Sequence, residues 1–132
     1  LGRRAAAPTY QDLLRTPHDA DLLEHYLQAQ LAVVGLDGGV TEVGEAGAHV
    51  QAEVSPDGRW LLVRSVGRPY SALVPLAFFP ERTEVWDRRG GVARTVADLP
   101  LAEEVPIGHD AVRAGPRRIA WRADAPATLA WA

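Results

Sequence analysis

The chain has 132 residues, enough for one modest domain, and 47% of them are hydrophobic, enough for a core. Its formal net charge is −3 and its 14 basic residues are all arginine, so overall charge gives no support to a nucleic-acid or anionic-membrane role. Cysteine is absent, which excludes disulfides and thiolate chemistry, and no segment approaches the run of about 18 apolar residues that a membrane helix needs.

Residues 1–8 read as a flexible lead-in: Arg3 and Arg4 lead only to three alanines and Pro8, which is not the pattern of a signal peptide. Methionine is absent, and the chain reads as an internal piece of something longer. Thr9 and Thr16 each stand three residues before an aspartate, Asp12 and Asp19, and this spacing predicts two helix starts. Pro17 suits the first helical position of the second. Leu22, Leu23, Tyr26 and Leu27 then recur at helical spacing, giving one apolar face to a helix over residues 19–29. That face is expected to pack on a sheet; the alternative is an amphipathic helix that binds a partner.

From Gln30 onward the pattern is β. A first hairpin joins Gln30-Leu31-Ala32-Val33-Val34 to Val40-Thr41-Glu42-Val43 through Asp37-Gly38-Gly39. A second joins Val50-Gln51-Ala52-Glu53-Val54 to Trp60-Leu61-Leu62-Val63-Arg64 through Ser55-Pro56-Asp57-Gly58. There Pro56 presets φ and Gly58 supplies the positive φ that strand reversal needs. A third joins Glu84-Val85-Trp86-Asp87 to Val92-Ala93-Arg94-Thr95-Val96 through Arg88-Arg89-Gly90-Gly91. A fourth joins residues 118–122 to 127–131 through Ala123-Asp124-Ala125-Pro126. Four strands in roughly every 40 to 50 residues is the signature of a propeller blade. The expected fold class is therefore mainly β: a partial β-propeller of about two blade-equivalents of four-stranded antiparallel sheet, with short N-terminal helices. Residues 1–29 form the lead-in and helical segment, and residues 30–132 the blades. Between the second and third hairpins, residues 67–80 carry Pro69 and Pro75 and are too apolar to hang free in solvent, so they should fold against another surface.

Catalytic chemistry is poorly served. Ser55, Ser65 and Ser71 lie in no Gly-x-Ser-x-Gly elbow, His109-Asp110 are chain neighbours, and His18, His25, His49 and His109 fit no metal-ligand spacing. No cofactor, metal or catalytic residue is expected. Glu103-Glu104 reads as a solvated acidic pair. The arginines are more informative. Arg64, Arg68 and Arg82 bracket the apolar excursion that holds Tyr70, and Arg113, Arg117 and Arg118 bracket the second long connection. Guanidinium groups among aromatic walls suit bidentate recognition of a carboxylate. Arg68, Tyr70, Arg82 and Arg113 are the candidate substrate-binding residues. The competing reading is that such arginines balance neighbouring acids.

Several runs resemble the glutamyl endopeptidase branch of the prolyl oligopeptidase family: Arg68-Pro69-Tyr70-Ser71-Ala72-Leu73-Val74-Pro75, Val85-Trp86-Asp87, Asp98-Leu99-Pro100-Leu101-Ala102-Glu103-Glu104 and Trp121-Arg122-Ala123-Asp124-Ala125-Pro126 among them. Tyr10-Gln11-Asp12-Leu13-Leu14 fits that branch as well. The resemblance implies a multidomain serine peptidase whose β-propeller precedes an α/β-hydrolase domain. This chain would be an internal part of the propeller, with no counterpart of the catalytic serine, aspartate or histidine. Its implied partners are the remainder of the propeller, the hydrolase domain and a peptide substrate. Self-association through open strand edges is a further expectation, and neither nucleic acid nor membrane is expected. With no signal peptide or transmembrane segment read in the chain, a cytoplasmic setting is expected. The alternative function is a stand-alone propeller-type interaction module without enzyme activity.

Overall fold

The computed structural model describes residues 13–104 and 113–132. The helix start read at Thr9 and the His109-Asp110 pair lie outside the described residues. Among the described residues one α-helix, α1, spans Pro17–Leu27, close to the expected range. Thr16 caps it: its Oγ1 accepts the Asp19 N–H at 3.2 Å, while the Asp19 carboxylate accepts the Thr16 N–H at 2.9 Å. This reciprocal box fixes the helix start two residues earlier than the apolar spacing alone implied.

Eight strands follow: β1 (Ala29–Val34), β2 (Val40–Gly47), β3 (His49–Val54), β4 (Trp60–Val66), β5 (Glu81–Asp87), β6 (Val92–Leu99), β7 (Ala120–Trp121) and β8 (Leu129–Ala130). Among the described residues they form three antiparallel sheets, none closed: β1-β2, the meander β3-β4-β5-β6, and β7-β8. The protein is thus mainly β, with a complete four-stranded sheet between two hairpins. All four predicted hairpins are present. In the second, Gly58 adopts φ +71° and its N–H bonds the Ser55 carbonyl at 2.8 Å. The Ser55 hydroxyl donates to Asp57 Oδ1 at 2.6 Å and accepts the Trp60 N–H at 3.0 Å, which explains why this small polar residue is buried.

Strand register sorts the side chains of the meander onto two faces. Leu61, Val63 and Trp86 share one face, since Leu61 opposes Trp86 across β4 and β5. The β1-β2 hairpin packs there: Val43, fully buried, forms a cluster with Val63 and Trp86. The approach is close enough to need glycine. A Cβ on Gly44 would lie 2.5 Å from Trp86 Cζ3, and one on Gly90 would lie 2.0 Å from Gly44 N. The Gly44 N–H meanwhile bonds the Arg89 carbonyl at 3.3 Å. On the opposite face lie Gln51, Leu62, Arg64, Glu81 and Thr83, and the C-terminal segment with β7 and β8 covers part of it. Trp121 Nε1 donates to the Glu53 carbonyl at 3.2 Å, and the Asp57 N–H bonds the Pro126 carbonyl at 3.0 Å, so the two repeated turns touch.

The excursion of residues 67–80 folds against the protein's own surface. Val74 and Phe79 are buried with Val66, and Leu14, Leu23, Val50, Tyr70, Phe78 and Leu101 pack around them. From α1 only Leu23 packs here, while Leu22 and Tyr26 of the expected apolar face stay exposed. A short 3-10 turn, Leu76–Phe78, and the Gly67 N–H to Pro80 carbonyl bond at 3.0 Å return the chain to β5.

Candidate functional site

The four predicted binding residues do not converge. Arg68 and Tyr70 sit together at the foot of α1, where the Arg68 guanidinium lies 5.2 Å above the Tyr70 ring, itself stacked on Phe79. Arg68 already has carboxylate partners: its Nη2 donates to Glu24 and to Asp21 at 2.7 Å each, and its Nε to Glu24 at 2.9 Å. The Glu24 hydrogen bond, followed by that of Asp21, raises the Arg68 pKa above its usual value. Withdrawal from water pushes the Tyr70 phenol up. This cluster ties helix to excursion.

Arg82 lies on the face of the meander that carries Trp86, and donates through Nη2 and Nε to Asp98 Oδ2 at 2.8 and 3.2 Å. With Arg68 it lines a shallow concavity that also holds His49 and Ser65. His49 Nε2 donates to the Glu45 carbonyl at 3.0 Å, because a carbonyl can only accept, and Nδ1 lies 2.8 Å from the Ser65 hydroxyl, from which it accepts in the neutral ring. The pair spans the bulge between His49 and Gln51 and pins the β2–β3 corner to β4. Sequence reading missed it, since sixteen residues separate its members.

Arg113 occupies the opposite face. Its Nη1 donates to the Ala77 carbonyl at 3.3 Å, and its Nη2 to the carbonyls of Phe79, at 2.9 Å, and Pro100. Those acceptors carry no charge, and loss of water lowers the Arg113 pKa from its usual value. Around it is a cleft of about 410 Å³ lined by Arg64, Arg117, Arg118, Glu81, Gln51 and Thr83, with Leu62, Leu99 and Ile119 as apolar wall. Arg64 Nε is 3.9 Å from Glu81 Oε2, beyond hydrogen-bond distance. Among the described residues, the Nε atoms of both Arg64 and Arg113 are buried without a partner. This cleft, rather than the Arg68–Tyr70 corner, is where buried guanidinium N–H groups lack a hydrogen-bond acceptor.

Elsewhere the Ser71 hydroxyl donates to Glu103 at 2.5 Å, so Glu103 braces the excursion. Among the described residues no group of acids and histidines could hold a metal ion, and no helix is long and apolar enough to cross a membrane.

No family model matches the chain, and no solved structure matches it. A probable chloroplastic glutamyl endopeptidase of Arabidopsis thaliana is 48% identical over 124 residues, 94% of this chain. Its counterpart in Oryza sativa subsp. japonica is 43% identical over 123 residues, 93% of this chain. In both cases the chain spans 13% of the relative's length. Both names place those relatives in the chloroplast, which departs from the cytoplasmic setting expected. Over nearly all of its length, this chain is a homologue of a segment of the glutamyl endopeptidases.

Proposed function

We propose that the chain is a non-catalytic β-propeller segment of a prolyl oligopeptidase-family serine peptidase, gating and orienting peptide substrate for a separate α/β-hydrolase domain. The observation that carries this reading is the 48% identity spread over 94% of the chain. The strand order supports it: a hairpin, a four-stranded antiparallel sheet and a second hairpin, stacked face on face, is the layout of consecutive blades. The partners of the segment are then the remaining blades, which would pair with the outer edges of β1 and β8, and the hydrolase domain.

Two measurements test this. The 132-residue chain alone should turn over neither glutamyl nor prolyl chromogenic peptides. In the longer protein that carries the segment, Gly44→Val should force the β1-β2 layer away from Trp86 and loosen the gate. Cleavage of a folded protein substrate should then rise relative to a short peptide. A parallel fall in both activities would leave the segment with a purely structural role.

A further inference from the structure

We propose that the two hairpins of the chain are complementary, and that the open groove beside β8 takes the β1-β2 hairpin of a second copy, joining copies head to tail. The join rests on strand edges and faces of the 132-residue chain, not on the peptidase reading.

The three sheets are unequal. The meander has four strands, whereas the sheets on either side of it stop at two. β7-β8 begins over β3, where the Trp121 indole meets the Glu53 carbonyl at 3.2 Å, and β8 is its last strand. What its sheet lacks is a third and a fourth strand, over β5 and β6. β1-β2 has the opposite deficit. β2 rests on Trp86 of β5 and on the β5-β6 turn, and leads into β3 after one residue, Ala48. It is the last strand of its layer, and the missing strands belong beyond β1. Hairpins with these deficits make one four-stranded sheet when β8 pairs with β1 of another copy.

Edge and faces fit this join. Arg117 and Ala132 exchange both backbone hydrogen bonds at 2.9 Å, and the Arg122 N–H bonds the Thr128 carbonyl at 2.8 Å. Strand alternation then leaves the N–H and C=O of Leu129 and Trp131 on the free edge of β8. Beside that edge a groove of about 600 Å³ runs over β5 and β6, with Trp60, Val85, Val96, Leu129 and Trp131 as its apolar lining. On β1-β2, Leu31 and Val43 face the chain's own meander, so Ala32, Val34, Val40 and Glu42 face away from it. Val34 and Val40 pair across the strands and are 65% and 68% exposed. The outward face of one copy's hairpin thus brings paired valines to the groove of the next. Charge agrees: Glu42 shares the hairpin face and Arg94 lines the groove, and among the described residues neither is in an ion pair. Docking covers both apolar surfaces and the open edge together. Two different surfaces meet, so the contact is heterologous, and copies add until a ring closes or an array grows.

The test is sedimentation velocity of the 132-residue chain at low micromolar concentration, with two variants at exposed positions. The parent chain should sediment as a dimer or larger. Val40→Lys places a charge on the hairpin face and Trp131→Lys places one in the groove, and each variant alone should be monomeric. Mixed in equal amounts, they should form a one-to-one dimer that grows no further. The hairpin of the Trp131→Lys chain still fits the groove of the Val40→Lys chain, and both remaining ends are blocked. Recovery in the mixture also shows that both variants are folded. A symmetric contact, β8 on β8 or β1 on β1, leaves one variant able to associate with itself, and that result overturns the proposal. So does a mixture that stays monomeric. A monomeric parent chain overturns it too, and leaves the groove to a strand of another protein.

Discussion

The contact between the β1-β2 hairpin and the turn joining β5 to β6 can be isolated by comparing two glycines. Gly58 and Gly90 both sit in left-handed backbone, at φ +71° and +88°. A Cβ on Gly58 meets nothing within 4 Å, whereas one on Gly90 lands 2.0 Å from Gly44 N and 2.1 Å from its Cα. Gly58→Ala therefore costs the conformational term alone, about 1–2 kcal/mol. Gly90→Ala carries that term and a backbone clash that no rotamer change relieves. Restoring ordinary contact, about 3.5–4.0 Å between carbons, moves the hairpin outward by about 1.5–2 Å. That lifts Val43 from Val63 and Trp86 and forfeits much of the roughly 1.5–3 kcal/mol that a fully buried valine contributes. The expected total is about 3–5 kcal/mol. Urea unfolding at one fixed protein concentration reads both variants. With a slope of about 2 kcal/mol per molar, the midpoint should fall by about 0.7 M for Gly58→Ala and about 2 M for Gly90→Ala. Equal losses would refute the reasoning, because the hairpin would then not press on that turn.

Three other outcomes are expected. In the longer protein, Arg68→Ala should change KM for acidic and neutral peptides alike, because the residue's carboxylate partners are Asp21 and Glu24; a rise of about 10-fold confined to acidic peptides would instead assign it to substrate. Stability should fall in acid: the carboxyls of Asp19, Asp57 and Asp87 are held below 3.8, chiefly by the Arg15 N–H, the Ser55 hydroxyl and the Gly91 N–H respectively, so their contribution is complete above 3.8 and lost as pH falls through the lower folded values. Urea midpoints measured from about pH 2 to 6 should show this slope, and Asp87→Asn should flatten part of it; a flat profile in the parent chain would contradict it. Sedimentation at low micromolar concentration should find the 132-residue chain associated, through the outer edges of β1 and β8, and a compact monomer with a cooperative melt would argue against open edges.

What the sequence disclosed was local chemistry. The Thr16–Asp19 box, the Ser55-Pro56-Asp57-Gly58 turn and the Gly90-Gly91 turn each lie within six residues, and each is formed as its residues require. Strand limits were less legible. β5 begins at Glu81 rather than Glu84, because Glu81, Arg82 and Thr83 look like a charged loop until Val66, Ser65 and Arg64 pair with them. The last hairpin shrinks to two-residue ladders, and Arg118, at φ 54°, stands outside the strand expected to contain it. The cleft was legible only in its members: Arg64, Arg113, Arg117 and Arg118 stand out as guanidinium groups suited to a carboxylate, but nothing in the sequence shows that they meet. Gln51, Arg64 and Thr83 are aligned only by the register of three strands, and Arg118 reaches them only through the stacking of a separate sheet.

The same dependence on stacking governs how the protein holds together. Among the described residues, six of the eight buried apolar side chains fall into two small clusters, Val43–Val63–Trp86 and Val66–Val74–Phe79, with Leu62 and Ala97 in neither, and no cluster is large enough to sustain a domain by itself. Between layers, the packing of Val43 on Val63 and Trp86 is joined by a handful of hydrogen bonds to the backbone: Gly44 to Arg89, Asp57 to Pro126, and the Trp121 indole to Glu53. Such contacts repeat from layer to layer, as in arrays where each unit borrows stability from its neighbours. The central sheet has a neighbour on both faces, and its strand β4 carries two of the most buried residues, Leu62 and Val63. The β7-β8 hairpin has one such neighbour, and Trp131 beside it stays 58% exposed. An exposed tryptophan beside an unpaired strand edge is where the next layer gains most by docking. The hairpin that completes the cleft wall is thus also the least supported, so a strand added to β8 would tighten the hold of Ile119 and Arg118 against the sheet.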